Sequence, residues 1–174
     1  MSACRHRRNI VVQIRRDFQR PTISLQRLKG LVKSVCSPYI LLSQNSSGGS
    51  GALKIIVSIA IVNDAQFRIL NKRFLNRRGS SDCLSFDLSD DLPGPSRLFE
   101  IIVNGELAAR EANVRGHSGE AELALYITHG LLHNLGFDDS TKRRAAKMHR
   151  TEDKILQRLG YGFVYNKSAQ RFQI

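Results

Sequence analysis

Residues 120–139 read E-A-E-L-A-L-Y-I-T-H-G-L-L-H-N-L-G-F-D-D, an apolar run at helical spacing that carries two histidines and stops at a glycine just before two acids. His129 and His133 stand four residues apart, so on a 3.6-residue helix both rings leave the same face. Leu123, Leu125, Ile127, Leu131, Leu132 and Leu135 occupy most other sides, which predicts a helix buried all round. Gly136 suits the left-handed position that ends a helix, and the turn it permits brings Asp138 or Asp139 back toward the histidines. A histidine on an apolar helix face is more often a hydrogen-bonded core residue than a ligand. Here two imidazoles need partners inside one apolar helix, and a metal supplies both at once. Two imidazoles and a carboxylate make a three-ligand set with positions left open for water.

Outward from this helix, Leu53 to Val62 is a near-continuous isoleucine- and valine-rich run, expected to be a central strand buried on both faces. Asn9 to Ile14 and Leu98 to Val103 read as further strands, and a polar, basic turn at residues 76–82 feeds a short one. Pro21-Thr22 signals a helix start. After it Leu25, Leu28, Val32 and Val35 face inward, and Arg27, Lys29 and Lys33 form a basic side. Asn63-Asp64 caps a helix expected to bury Phe67, Ile69, Leu70 and Phe74, and Glu106 to Asn113 is another. Ser140-Thr141 caps a last helix with Ala145, Met148, Ile155 and Leu159 inward. His117 and His149 read as surface residues. The run S-Q-N-S-S-G-G-S-G at 43–51 is expected to be a flexible loop, and residues 163–174 are left as an unplaced tail. The expected fold is α+β: a single domain over 1–174, in which a small mixed sheet packs with helices around one central buried helix.

The chain has 174 residues and a formal charge of +12, with a pI near 10.3. That surplus is typical of a protein that meets polyphosphate, with an acidic membrane surface as the competing partner. Residues 1–30 alone carry seven arginines and one lysine against one aspartate. Arg-His-Arg-Arg at 5–8 opens this segment, and an organellar transit peptide is its alternative reading. No run approaches the roughly 18 apolar residues needed to span a bilayer. Cys4, Cys36 and Cys83 show no C-x-x-C spacing, which suits reduced thiols in a cytoplasmic protein, and Cys83 as a nucleophile is a remote alternative.

Thr-His-Gly-Leu-Leu-His-Asn-Leu-Gly-Phe-Asp-Asp, residues 128–139, resembles the signature of the YbeY family of metal-dependent endoribonucleases, His-Gly-x-x-His-x-x-Gly-Tyr-x-His. The family's third histidine falls on Asp139. Ser81-Asp82-Cys83-Leu84-Ser85-Phe86 resembles a second family motif, Thr-Asp-Val-Leu-Ser-Phe. The arginine that precedes that motif falls on Leu75, leaving Arg73, Arg77 and Arg78 as stand-ins. Phe99-Glu100-Ile101 stands where relatives carry Gly-Asp-Ile. The resemblance implies a zincin-like domain that binds zinc through His129, His133 and Asp139. It also implies single-strand-specific cleavage in small-subunit ribosomal RNA maturation and ribosome quality control, with the ribosome or its small subunit as partner. A carboxylate in place of an imidazole makes manganese or iron(II) more acceptable and bound water harder to deprotonate.

Phosphodiester hydrolysis needs a nucleophile, charge relief on the phosphate and a proton carrier. Water on the ion serves as the nucleophile or as the base that frees a ribose hydroxyl, and Asp138, Glu100 and Glu122 are the candidate proton carriers. Arg15, Arg16, Arg73, Arg77 and Arg78 are the candidate RNA contacts. Zinc peptidases place glutamate after the first histidine, where this chain has Gly130, which disfavours peptide hydrolysis. The alternatives are a noncatalytic RNA-binding assembly factor and a metal-dependent hydrolase of another substrate.

Overall fold

The isoleucine- and valine-rich run becomes the middle of the sheet because both of its faces are apolar and only a central strand buries both. The computed structural model describes residues 9–46, 53–92 and 94–165. Its strands are β1 (Ile10–Arg16), β2 (Lys54–Val62), β3 (Cys83–Asp87) and β4 (Ser96–Asn104), in spatial order β1-β2-β4-β3. β1 and β4 flank β2 in parallel, and β3 closes the edge antiparallel to β4. The helices are α1 (Leu25–Ser46), α2 (Asp64–Leu75), α3 (Gly105–Arg115), α4 (Gly119–Asn134) and α5 (Lys142–Arg158). A mixed sheet with helices on both faces is the α+β arrangement expected.

Strand alternation divides the interior. Ile55, Val57, Ile59 and Ile61 join Phe99, Ile101 and Val103 on one face, where α1 and α4 cover them. Ala60, Val62, Leu84 and Ile102 face the other way, onto Phe67 and Leu70 of α2. α4 contributes Leu123, Ile127 and Leu131, all fully buried, each worth about 1.5–3 kcal/mol as an upper estimate. Gly130 lets this helix lie close against the sheet. A Cβ there would sit 3.2 Å from Ile101 Cγ2 and 3.4 Å from Ser85 Cβ.

Several expectations need correction. α1 begins at Leu25 rather than at Pro21-Thr22, and Leu25 is exposed while Leu31 joins Leu28, Val32 and Val35 inside. The helix then continues through Pro38 to Ser46, over the first four residues of the expected loop. Residues 47–51, like Arg-His-Arg-Arg at 5–8, Cys4 and residues 166–174, lie outside the described residues. On α2, Ile69 and Phe74 are 68% and 50% exposed. The core under that helix is small, and from the helix it takes only Phe67 and Leu70. At the other end of the chain, Val164 is buried in the main core.

Candidate metal centre

Ser118 starts α4 by accepting the Ala121 N–H on its hydroxyl at 3.1 Å, while Glu120 and Glu122 sit in the first turn. Gly136, at φ +89°, ends it. The Gly136 N–H bonds back to His133 O and the Phe137 N–H to Leu132 O, each at 2.9 Å. This crossed pair satisfies two orphan carbonyls and folds the chain over the end of the helix. The reversal has two products. The Phe137 carbonyl reaches His133 Nδ1 at 3.2 Å, and the Asp139 carboxylate comes up beside both rings.

The two Nε2 atoms of His129 and His133 are 3.1 Å apart. Asp139 Oδ2 lies 3.9 Å from the first and 3.8 Å from the second. A point equidistant from these three atoms is about 2.1 Å from each, the length of a zinc bond to imidazole or carboxylate. The donor chemistry agrees. A carbonyl only accepts, so His133 carries its proton on Nδ1 and its Nε2 lone pair points inward. His129 donates from Nδ1 to Glu152 Oε1 at 2.8 Å, leaving its Nε2 in the same state. In the neutral rings the two lone pairs face each other at 3.1 Å, a contact that either a shared proton or a bound cation satisfies. Both rings and the carboxylate keep partial solvent exposure, which leaves room for water or substrate. The three residues therefore fit a divalent ion.

Burial opposes protonation of His129. The hydrogen bond to Glu152 and the charges of Glu152 and then Asp82 and Asp139 outweigh that and hold its pKa above the ordinary range. Beside His133 a cavity of about 530 Å³ opens. Tyr39, Ile55 and Phe99 give it an apolar floor, and Asn134 and the Asp87–Arg97 ion pair, 2.8 Å long, line its polar side. On the other side of His129 lies a smaller cavity of about 240 Å³, lined by Asp82, His149, Glu152 and Tyr165 among others.

The other predicted site residues are placed apart from this centre. Asp138 turns outward, accepting the Ser140 N–H and hydroxyl at 2.8 Å each and the Arg144 guanidinium. Those bonds, the Ser140 backbone first, pull its pKa down to about 2. Held this way before α5, its carboxylate is engaged by Ser140 and Arg144 rather than by the two histidines. Glu100 has the parity of Ile102 on β4 and so faces the α2 side of the sheet, opposite α4. Glu122 is fully buried two helical turns before His129, bound to Arg115 at 3.1 Å and His117 at 2.9 Å. Burial raises its pKa, but its partners belong to the α3–α4 junction. His117, expected at the surface, is drawn in by that same carboxylate.

Among the arginines, Arg16 donates to the carbonyls of Phe18, Gln19 and Pro21. It shapes the turn after β1 and is half-buried there. Arg15 is exposed and pairs with Asp17 at 3.1 Å. Arg73 on α2 and Arg77 and Arg78 just after it are exposed, on an element that covers the sheet face opposite α4. Cys83 is a half-buried free thiol, and burial, then the charges of Asp82 and Glu152, push its pKa well up, which disfavours it as a nucleophile.

Sequence reasoning missed Glu152. It is fully buried on α5 and binds His129 through one oxygen and His149 through the other. The available signal was a glutamate on the inward stripe of α5, four residues after Met148 and four before Leu156. His149, expected at the surface, is stacked against Tyr165 with ring centroids 3.6 Å apart.

The sequence model of the family described as Endoribonuclease YbeY matches residues 14–160. An Endoribonuclease YbeY of Synechococcus is 32% identical over 145 residues, 80% of this chain and 86% of that protein. One from Myxococcus xanthus is 36% identical over 107 residues, 60% of this chain, and the match spans only 36% of that longer protein. Among solved structures, the solution structure of TM1509 from Thermotoga maritima superposes with a TM-score of 0.52 over 85% of this chain and 91% of its own, at 21% identity, a likeness of fold. With the family's sequence pattern running from β1 to the end of α5 and two of its three histidines on α4, this chain belongs to the YbeY endoribonuclease family.

Proposed function

We propose that the protein is a metal-dependent endoribonuclease that cleaves single-stranded segments of ribosomal RNA during maturation of the small subunit. We further propose that it works with the ribosome or its small subunit in the cytoplasm and serves ribosome quality control. The observation that carries this reading is the convergence of His129 Nε2, His133 Nε2 and Asp139 Oδ2, all within 4.8 Å of one another, in a chain whose relatives bear the name Endoribonuclease YbeY. His129, His133 and Asp139 are the proposed ligands and zinc the proposed ion, with manganese or iron(II) accepted because of the carboxylate.

A divalent ion held there supplies charge to a phosphate and lowers the pKa of water. The chain's own residues do the rest. Glu152 and the Phe137 carbonyl fix the two rings in the tautomer that turns Nε2 inward. The cavity beside His133 offers a nucleotide an apolar floor at Tyr39 and Phe99 and a polar side at Asn134 and the Asp87–Arg97 ion pair. The net charge of +12 draws the polyanion by counterion release, with Arg15, Arg73, Arg77 and Arg78 as exposed contacts. The described residues include no helix long and apolar enough to cross a membrane, and RNA rather than a lipid surface is the proposed polyanion.

Cleavage of matched single- and double-stranded RNA with and without a chelator tests this reading. Single-strand cleavage that a chelator abolishes and added metal restores supports it. Unaltered RNA binding by a protein that holds no metal and cuts nothing supports a noncatalytic assembly factor instead.

A further inference from the structure

Glu152 is fully buried, and both of its oxygens are taken by imidazoles: Oε1 by His129 Nδ1 at 2.8 Å and Oε2 by His149 Nδ1 at 2.9 Å. A carboxylate rotated toward one ring would lose the other, so His149 fixes the angle at which Glu152 meets His129. His149 is held in turn. Its ring lies nearly parallel to Tyr165, at 3.6 Å and 11°, and parallel to His129 at 6.5 Å and 13°. Tyr165 is anchored through its own N–H to Asp153 Oδ1 at 3.2 Å and through the neighbouring buried Val164.

We propose that Tyr165, His149 and Glu152 form a brace that sets the orientation of His129 from behind the metal centre. The inference rests on the reading of His129, His133 and Asp139 as ligands. The three are positioning residues: none reaches the triangle of ligand atoms, and each acts through the next. Glu152 keeps the His129 proton on Nδ1, so the Nε2 lone pair faces His133 and Asp139. Its negative charge makes that nitrogen a stronger donor to a cation. Tyr165, beyond α5, thus supports the site although it carries no ligand.

Zinc affinity, measured by chelator competition, and the visible absorption of the cobalt(II)-loaded protein test the brace without relying on activity. Glu152→Gln keeps the volume and an acceptor oxygen but removes the charge, and is expected to weaken zinc binding about 10- to 100-fold and to shift the cobalt spectrum. His149→Phe keeps a ring against Tyr165 but removes the donor. A loss of about three- to tenfold is expected, and none beyond the Glu152→Gln loss when the two are combined, because His149 acts only through Glu152. Wild-type zinc affinity in Glu152→Gln overturns the brace, as do losses that multiply in the double variant. Should Glu152→Gln fail to fold, judged by thermal unfolding in chelator, His149→Phe decides alone: unchanged zinc affinity and an unchanged cobalt spectrum overturn it. A wild-type protein that binds neither metal overturns the ligand reading and the brace together, whereas wild-type binding with unaltered variants overturns the brace alone.

Discussion

The Nε2 atoms of His129 and His133 approach to 3.1 Å with both Nδ1 positions already committed, one to Glu152 and one to the Phe137 carbonyl. Backbone geometry alone puts the rings on one face. The outer hydrogen bonds turn their lone pairs toward each other and toward Asp139, the arrangement a cation stabilises.

The two acids after Gly136 therefore have separable roles. Asp139→Ala is expected to lower metal affinity at least tenfold and Asp139→His to keep or raise it, by chelator competition. Asp138→Ala is expected to leave affinity within about twofold, since its carboxylate is engaged by Ser140 and Arg144. Equal losses in Asp138→Ala and Asp139→Ala would contradict this division.

Asp64 links three elements near the start of the Ser81–Phe86 segment. Its carboxylate accepts from Ser80, from Asn104 at 2.7 Å and from Arg68 at 2.9 Å. The Ser80 bond is the largest influence lowering its pKa, followed, against a burial effect that raises it, by those from Asn104 and Arg68. The folded pKa lies below the unfolded value. The stabilisation is therefore complete above pH about 4 and is lost as pH falls through the folded pKa. Asp64→Ala is expected to cost about 1–3 kcal/mol at pH 7, with the gap from wild type narrowing in denaturant titrations below pH 4. A gap that widens on acidification would refute the assignment.

The arginines divide by what they already hold. Reversing Arg77 and Arg78 to glutamate is expected to weaken RNA binding and flatten its dependence on salt. An identical salt slope would remove that turn from the contact surface. Arg16→Glu removes the donors to three turn carbonyls and is expected to lower Tm, an effect seen without RNA.

At the start of α4 the backbone passes close to Pro21. A Cβ on Gly119 would lie 2.3 Å from Pro21 Cβ and 2.6 Å from its Cγ, so Gly119→Ala forces the helix and the turn apart. About 1–3 kcal/mol of stability is expected to be lost. A Tm equal to wild type would show that the turn yields freely.

The histidine-bearing helix α4 was legible because its signal is local: a four-residue histidine spacing, an apolar surround and a glycine stop all lie within twenty residues. β2 was legible for the same reason, through its unbroken run of apolar residues. What stayed hidden depends on register and packing. Glu100 faces away from the histidines only because of its parity with Ile102 in β4, and Glu152 meets His129 only because α5 crosses α4. Phe74 reads as a core residue from its spacing to Phe67 and Leu70, yet it is half exposed because the second core is small. The serine-rich run after Leu42 reads as loop, but α1 extends into it past Pro38 before leaving the described residues.

The account depends above all on one ion being held between α4 and the turn after it, and metal content tests that most directly. Elemental analysis of freshly purified wild-type protein is expected to give about one divalent ion per chain, and His133→Ala close to none at an unchanged fold. Wild-type protein without stoichiometric metal, or a His133→Ala variant that retains the full amount, would contradict it.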